Sequence, residues 1–332
     1  MRKVLTDPAS KTVCVQGGAT WQDVNSSTAP YGLVVVGATS SHTGVGGSTL
    51  GGGCSWLTGR YGLIIDNLIS VRIVLADGSI VEASETTSPD LFWAIRGAGQ
   101  AFGVVTELVF RAYDLKHPVF GGALYFTPDK LRDIVQFANE FHRRMDENSG
   151  LVFGFTAPAF MEETAVLAIP FYNGTREEAE SFFAPLLSAD PVLSQTDMMS
   201  YAKLNAIANV EPYPEGRKNI NGTNITLPLD IDFMHDVYNL FDRVMRKHRR
   251  VGDSVLMFEL FPYTHVVEVP LDATACANRG CYYNVGSIFC WQDPDLDRII
   301  QIEQQAIISK IGRFGSREED EQRVAAYSNY AG

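Results

Sequence analysis

The sequence predicts an α+β protein of two domains, the second an antiparallel sheet covered by helices on one face. Three observations lead there. Its 332 residues suit about two domains of ordinary size. The composition changes near residues 112 to 118, where a glycine-dense part gives way to one with few glycines. Beyond that point, runs with strand character alternate with amphipathic helical runs, which is the pattern of helices packed on a sheet.

In order, residues 10 to 15 have strand propensity, Gly17 and Gly18 end that run, and residues 19 to 24 begin a helix capped by Thr20 or a nearby glycine. A strand over residues 32 to 36 then delivers the chain to residues 37 to 53. Seven of those residues are glycine, so little there can pack, and backbone free to take positive φ suits close approach to a phosphate or a planar ring. We read the stretch as a ligand cradle. A flexible linker rarely continues into a pattern as ordered as Trp56-Leu57-Thr58-Gly59-Arg60-Tyr61-Gly62-Leu63. Residues 69 to 75 and 80 to 83 form a hairpin across the turn Asp77-Gly78. Ser88 caps a short helix with Pro89 at its first position and Asp90 in its first turn. A second glycine-rich loop, residues 97 to 103, runs into a strand over residues 104 to 110, and two such loops in one domain suggest a long ligand contacted at several places.

The domains are accordingly residues 1–114 and 115–332. In the second, helices are expected at about 128 to 147, 175 to 188, 231 to 248 and 294 to 311, with strands near 119 to 126, 151 to 157, 164 to 171, 254 to 261 and 282 to 291. With 45% hydrophobic and 20% charged residues the chain has the composition of a globular protein. Its net charge of -12 argues against nucleic-acid or anionic-membrane partners, which need cations. The basic run Arg243 to Arg250 suits the last turn of a helix, and the four acids from Glu318 to Glu321 read as solvated surface. Five cysteines show no metal-ligand spacing, so no metal is expected. The separation of Cys276 and Cys281 permits a disulfide without establishing one. Sequons at Asn25, Asn173, Asn221 and Asn224 would be usable only in the secretory pathway. The start at Met1 lacks a signal-peptide core, and no apolar run approaches the ~18 residues of a membrane helix, so a soluble chain is expected.

The segments Gly17-Gly18-Ala19-Thr20-Trp21, Ser41-His42-Thr43-Gly44-Val45-Gly46-Gly47, Leu50-Gly51-Gly52-Gly53, Arg60-Tyr61-Gly62-Leu63, Asp66-Asn67, Leu75-Ala76-Asp77-Gly78, Asp90-Leu91-Phe92-Trp93-Ala94-Ile95-Arg96-Gly97 and Phe102-Gly103-Val104-Val105-Thr106 follow one another over about a hundred residues. In this order they resemble the berberine-bridge-enzyme-like FAD-linked oxidases of the vanillyl-alcohol-oxidase superfamily. Ala275-Cys276-Ala277-Asn278-Arg279, Trp291 and the terminal Tyr327-Ser328-Asn329-Tyr330 extend the likeness more thinly. The resemblance implies a PCMH-type FAD-binding domain followed by a substrate domain. It implies that FAD is bound by Ser41, His42, Thr43, Gly44, Val45, Gly46, Gly47, Leu50, Gly51, Gly52, Gly53, Tyr61, Gly62, Gly103, Val104, Val105 and Asn329. Tyr330 falls at the position of the catalytic base, which deprotonates a substrate hydroxyl while hydride leaves for the flavin. The implied activity is oxidation of an alcohol or activated C–H of a small metabolite, in secondary metabolism, with molecular oxygen as a candidate acceptor.

The chain also departs from that pattern. Some members attach FAD through a cysteine, and Ser40 stands at the matching position. The Arg-X-X-Gly-Gly-His segment of a histidine linkage does not occur, and His42 reads equally as a polar contact near the cofactor or as an ordinary loop histidine. Some relatives place a carboxylate base on the strand after the Arg-Gly pair, where this sequence has Asn284, an amide that takes no proton at neutral pH. The likeness begins after the first FAD subdomain and ends at the tyrosine signature, so the expectation is an incomplete FAD-binding domain. The alternative is a truncated or degenerate, non-catalytic homologue. Full-length relatives are often secreted.

Overall fold

Runs rich in Val, Ile and Leu become strands here wherever alternate residues can be buried, and two antiparallel sheets result. The computed structural model describes residues 1–207, 209, 216–248, 254–315 and 327–330. In chain order the elements begin with β1 (Val4–Asp7), β2 (Thr12–Gln16), α1 (Trp21–Thr28), β3 (Leu33–Val35), α2 (Val45–Leu50), α3 (Thr58–Tyr61), β4 (Leu68–Val74), β5 (Ile80–Ser84), α4 (Pro89–Ala98), β6 (Val104–Asp114), β7 (Val119–Gly121) and β8 (Leu124–Phe126). They continue with α5 (Leu131–Arg144), β9 (Ser149–Thr156), β10 (Ala165–Tyr172), α6 (Arg176–Phe182), α7 (Ala184–Leu187), β11 (Leu193–Ser194), β12 (Asp197–Met199), α8 (Tyr201–Ile207), β13 (Arg217–Ile225), α9 (Ile231–Lys247), β14 (Val255–Leu260), α10 (Thr264–Glu268), β15 (Tyr283–Trp291) and α11 (Asp297–Gly315).

Two units form. The first comprises Met1–Val119 together with Met198–Asn209 and Pro262–Gly280, and the second holds Phe120–Asp197, Val210–Phe261 and Cys281–Gly332. The first unit thus recruits two segments from far along the chain, beyond the position at residue 114 where composition changes.

In the first unit the sheet order is β1-β2-β6-β4-β5, with β3 on the far end of β6, and every pair is antiparallel. The hairpin of β4 and β5 turns through Asp77-Gly78 as expected, with Gly78 at φ +84°. Thr20 caps α1, its amide bonded to Asp23 Oδ2 at 2.9 Å. That cap orients Trp21, fully buried against Phe110 with ring centroids 5.7 Å apart. Within residues 37 to 53, Val45–Leu50 is helical, so the expected loop contains a short helix with Gly44 at its N-cap.

The second unit's sheet runs β11-β8-β10-β9-β14-β15-β13, also antiparallel. On one face Phe155 of β9 meets Tyr238 and Phe241 of α9 and also Phe258 of β14, which stacks on Phe153, ring centroids being 5.0 to 6.4 Å apart. Such pairs add about 0.5–1.5 kcal/mol each beyond their burial. Asp230 caps α9 by accepting from Phe233 N at 2.7 Å, and Met234, Val237, Tyr238, Phe241, Val244 and Met245 place one apolar stripe on the sheet.

Several expectations change in detail. The strand expected over 119 to 126 is two strands, because Gly122 turns the chain at φ +142° where a Cβ would lie 2.3 Å from Gln195 O. Besides α2, the elements β1, α3, β11, β12, α8, β13 and α10 were not expected from the sequence. In β13 the polar run Arg217–Ile225 is held by α11, whose buried Gln304 donates to Asn219 O and Ser287 O, each at 3.2 Å. All five cysteines are free thiols, so Cys276 and Cys281 are not bridged. Asn25 and Asn224 are buried, which leaves those two sequons inaccessible. The basic run closes α9 as expected, with Arg246 on Asp242 and Lys247 on Glu303, both at 2.7 Å. Arg249, Arg250 and the acids Glu318 to Glu321 lie outside the described residues. Among those residues no helix is long and apolar enough to cross a membrane, and no group of side chains suits a metal ion.

Candidate active site

In the first unit three glycine segments far apart in sequence are brought together. Gly17 donates to Thr106 O at 3.0 Å, Val45 to Ala19 O at 2.9 Å, and Trp21 to Thr43 O at 3.1 Å. A Cβ on Gly46 would lie 2.8 Å from Gly17 O, one on Gly99 2.5 Å from Leu50 Cδ2, and one on Gly103 2.2 Å from Val74 O. A Cβ on Gly53, at φ +79°, would strike Ile64 at 2.3 Å, and one on Gly52, at φ +109°, would lie 2.9 Å from the Cys276 sulfur. These glycines are therefore required by the protein's own packing.

Gly44 and Gly47 differ. A Cβ on either meets no heavy atom within 4 Å, and no described residue accepts a hydrogen bond from the amides of Gly46 and Gly47. Glycine at positions where the protein leaves space, beside backbone donors, fits a group that needs amides and no side-chain bulk, as a pyrophosphate does. The residues present therefore fit FAD, and Gly44 to Gly47 would offer it a backbone wall.

The other expected cofactor residues of this unit take definite places. Ser41 is buried and tied to Asn209, His42 and Gly47 are exposed, and Thr43 is half-buried. Val45, Leu50 and Gly51 are buried. The Tyr61 ring stacks on Tyr113 with centroids 3.7 Å apart. Gly62 takes φ +76°, where a Cβ would meet Asp66 Oδ2 at 2.7 Å. Asp66 accepts from Arg279 Nη2 at 2.5 Å and from Nη1 at 3.1 Å, with the Arg279 side chain fully buried. This two-pronged pair fastens Pro262–Gly280 to the unit. Val105 is buried, whereas Val104 beside it is 63% exposed.

In the second unit the sheet face opposite the helices bears the expected tyrosine. Gly222 of β13 and Gly286 of β15 are registered partners, and the Tyr330 ring lies on them. A Cβ on Gly286 would lie 2.8 Å from Tyr330 Cε2, and one on Gly222 2.7 Å from Tyr330 Cβ. One register step along, Glu259 stands opposite Asn284, which stands opposite Asn224. Tyr330 Oη donates to Glu259 Oε1 at 2.8 Å. The Glu259 side chain is buried, and its Oε2 meets no hydrogen-bond partner among the described residues. Burial pushes the Glu259 carboxyl up to about 7, with the Tyr330 hydrogen bond opposing in part. Tyr327 packs edge-on to Tyr330 at 4.8 Å, and Asn329 Nδ2 donates to Tyr327 Oη at 2.9 Å.

Sequence reasoning missed Glu259. The position of Asn284 indeed holds no carboxylate, but the strand beside it supplies one directly opposite. A single acid inside the apolar run Val255–Leu260 was the available signal, since an unpaired buried acid is costly without a purpose.

One unit thus holds a glycine cradle and the other a buried carboxylate–tyrosine pair. Comparison with known proteins gives the class. Residues 1–84 match the family described as FAD binding domain. Over 322 residues the chain is 35% identical to the FAD-linked oxidoreductase pgmH of Aspergillus terreus, an overlap covering 94% of this chain and 64% of that protein. The fold matches BBE-like 1 of Physcomitrella patens, with TM-score 0.79 and 18% identity over 99% of this chain and 71% of the other. It also matches berberine bridge enzyme from Eschscholzia californica, with TM-score 0.76 and 16% identity over 99% and 67%. The chain thus carries a match to an FAD binding domain, is similar in sequence to FAD-linked oxidoreductases, and has the fold of berberine-bridge-enzyme-like proteins. It spans about two thirds of the length of these relatives, 64% in the case of pgmH.

Proposed function

We propose that the chain forms the catalytic part of an FAD-dependent oxidase that converts an uncharged alcohol of a small metabolite into a carbonyl compound. The observation that carries this reading is the hydrogen bond from Tyr330 to the buried Glu259. When bound, FAD supplies the two-electron acceptor for the hydride. The chain's own residues supply the proton path.

A tyrosine of ordinary acidity, near 10, costs about 4 kcal/mol to ionise at pH 7. Glu259 removes the need for a free phenolate. As Tyr330 Oη takes the proton of the substrate hydroxyl, it passes its own proton to Glu259 Oε1, so the substrate O–H bond breaks, one O–H bond is exchanged for another at Tyr330, and a new one forms on Glu259. A carboxylate held near 7 accepts that proton at neutral pH and releases it again. Gly222 and Gly286 set the position of the phenol by letting its ring rest on the sheet. Around the pair the same face bears Val152, Leu167, Ile169, Met257 and Ile288, which suits a substrate whose body is apolar. A role in secondary metabolism and oxygen as acceptor follow the family resemblance.

The test is anaerobic reduction of reconstituted flavin by a panel of neutral alcohols, followed by absorbance. Failure to bind FAD at all would remove the cofactor from this reading. Reduction at an unchanged rate in Tyr330→Phe would remove the base.

A further inference from the structure

The entrance to the glycine cradle is held by side chains that the proposed chemistry does not use. Asn209 Oδ1 accepts from Ser40 Oγ at 2.9 Å, from Ser41 Oγ at 3.2 Å and from His42 N at 3.3 Å, while Asn209 Nδ2 donates to Ser41 Oγ at 3.0 Å. Four residues earlier, Asn205 O accepts from Ser41 N at 2.9 Å, and Asn205 Nδ2 donates to Ala38 O at 3.2 Å. Trp56 Nε1 completes the set on Thr39 O at 3.2 Å. Each residue from Ala38 to His42 therefore has a backbone or side-chain atom fixed by a partner more than fifteen positions away. The loop itself is short of apolar anchors, and Gly37 before it admits no side chain because a Cβ would lie 2.4 Å from the Trp21 ring.

We propose that Asn205 and Asn209 form an amide clamp that positions residues 38 to 42, and through them the open amides at Gly46 and Gly47, for the flavin. The proposal rests on the reading of that cradle as the FAD site. A carboxamide suits the task because one oxygen can accept from several donors while the nitrogen returns a donor to the same loop. Hydrogen bonds alone hold this stretch, so loss of the hub frees three hydroxyl or amide donors at once. The segment Met198–Asn209 thus belongs functionally to the cradle although it lies between strands of the substrate sheet in sequence.

The experiment combines hydrogen exchange of the flavin-free protein with FAD titration, using Asn209→Leu, close in size but without polar atoms, and Asn209→Asp, which keeps the acceptor. Asn209→Leu is expected to speed amide exchange at Ser41, His42 and Thr43 by about tenfold or more, the scale of one lost hydrogen bond, without change in the β6 and β4 amides. It should weaken FAD binding by a similar factor at an unchanged melting temperature, and Asn209→Asp should restore most of both. Exchange and affinity within twofold of wild type in Asn209→Leu would overturn the clamp. A uniform rise in exchange across the unit would overturn it too, by showing a merely structural role. If the wild-type chain binds no FAD, the cradle reading falls, and the local exchange result by itself decides whether Asn209 holds the loop.

Discussion

The two candidate sites of this protein are built in opposite ways. In the first unit the site is made by leaving side chains out, and the information lies in which glycines face protein and which face space. In the second it is made by putting a charge where a charge is costly, under a tyrosine lying on two glycines. Gly46 and Gly47 are neighbours, yet a Cβ on the first would lie 2.8 Å from the Gly17 carbonyl oxygen and one on the second would meet nothing within 4 Å. Glycine thus faces protein at one position and open space at the next.

The sharpest way to break this comparison is Tyr330→Phe in flavin-loaded protein. Turnover should fall about 10²–10⁴-fold, the usual contribution of a positioned proton acceptor, with FAD affinity unchanged. Full activity would reduce the second sheet to a scaffold.

A buried ion pair offers the next largest effect. Asp66→Asn leaves the fully buried Arg279 guanidinium without its counter-charge and should cost about 3–5 kcal/mol in denaturant unfolding. Loss of under about 1 kcal/mol would mean that Pro262–Gly280 is held by packing alone.

Glu259 gives a pH signature with a definite sign. Its folded-state value, about 7, lies above the ordinary 4.5, so as pH rises the unfolded chain gives up this proton first. Stability should therefore be greatest below about pH 4.5 for this group and decline by about 3 kcal/mol as pH rises to 7. Glu259→Gln should abolish that decline and be more stable than wild type near pH 8, while removing the rise of activity with pH. An unchanged profile in calorimetric scans would place the group outside the site.

The mildest comparison is between two glycines. Gly47→Ala should leave thermal stability nearly unchanged and weaken FAD binding by about tenfold, whereas Gly46→Ala should lower stability itself, because its Cβ collides with backbone. Equal effects in both assays would erase the distinction between packing and ligand-facing glycines.

Much of the fold was legible because its signals are local. The Thr20 cap, the Asp77-Gly78 turn and the apolar stripe of α9 each act within a few residues. The polar strand β13 was not legible, since Asn219 becomes a strand residue only when Gln304 of α11 is there to bond it. Within the site, Gly44 and Gly47 could be picked out as part of a cradle, but not separated from glycines that serve packing. Glu259 was hidden because its environment is assembled from three other strands, and Asn209 because its partners lie 167 to 169 positions away.

By itself the sequence determined most of the longer strands and helices and, through the family resemblance, the cofactor class, because caps, turns and motifs are written in consecutive residues. Only the tertiary structure decided which glycines are open, which carboxylate meets Tyr330, and which asparagines hold the cradle. Those are distances between segments, and a linear pattern carries no distances.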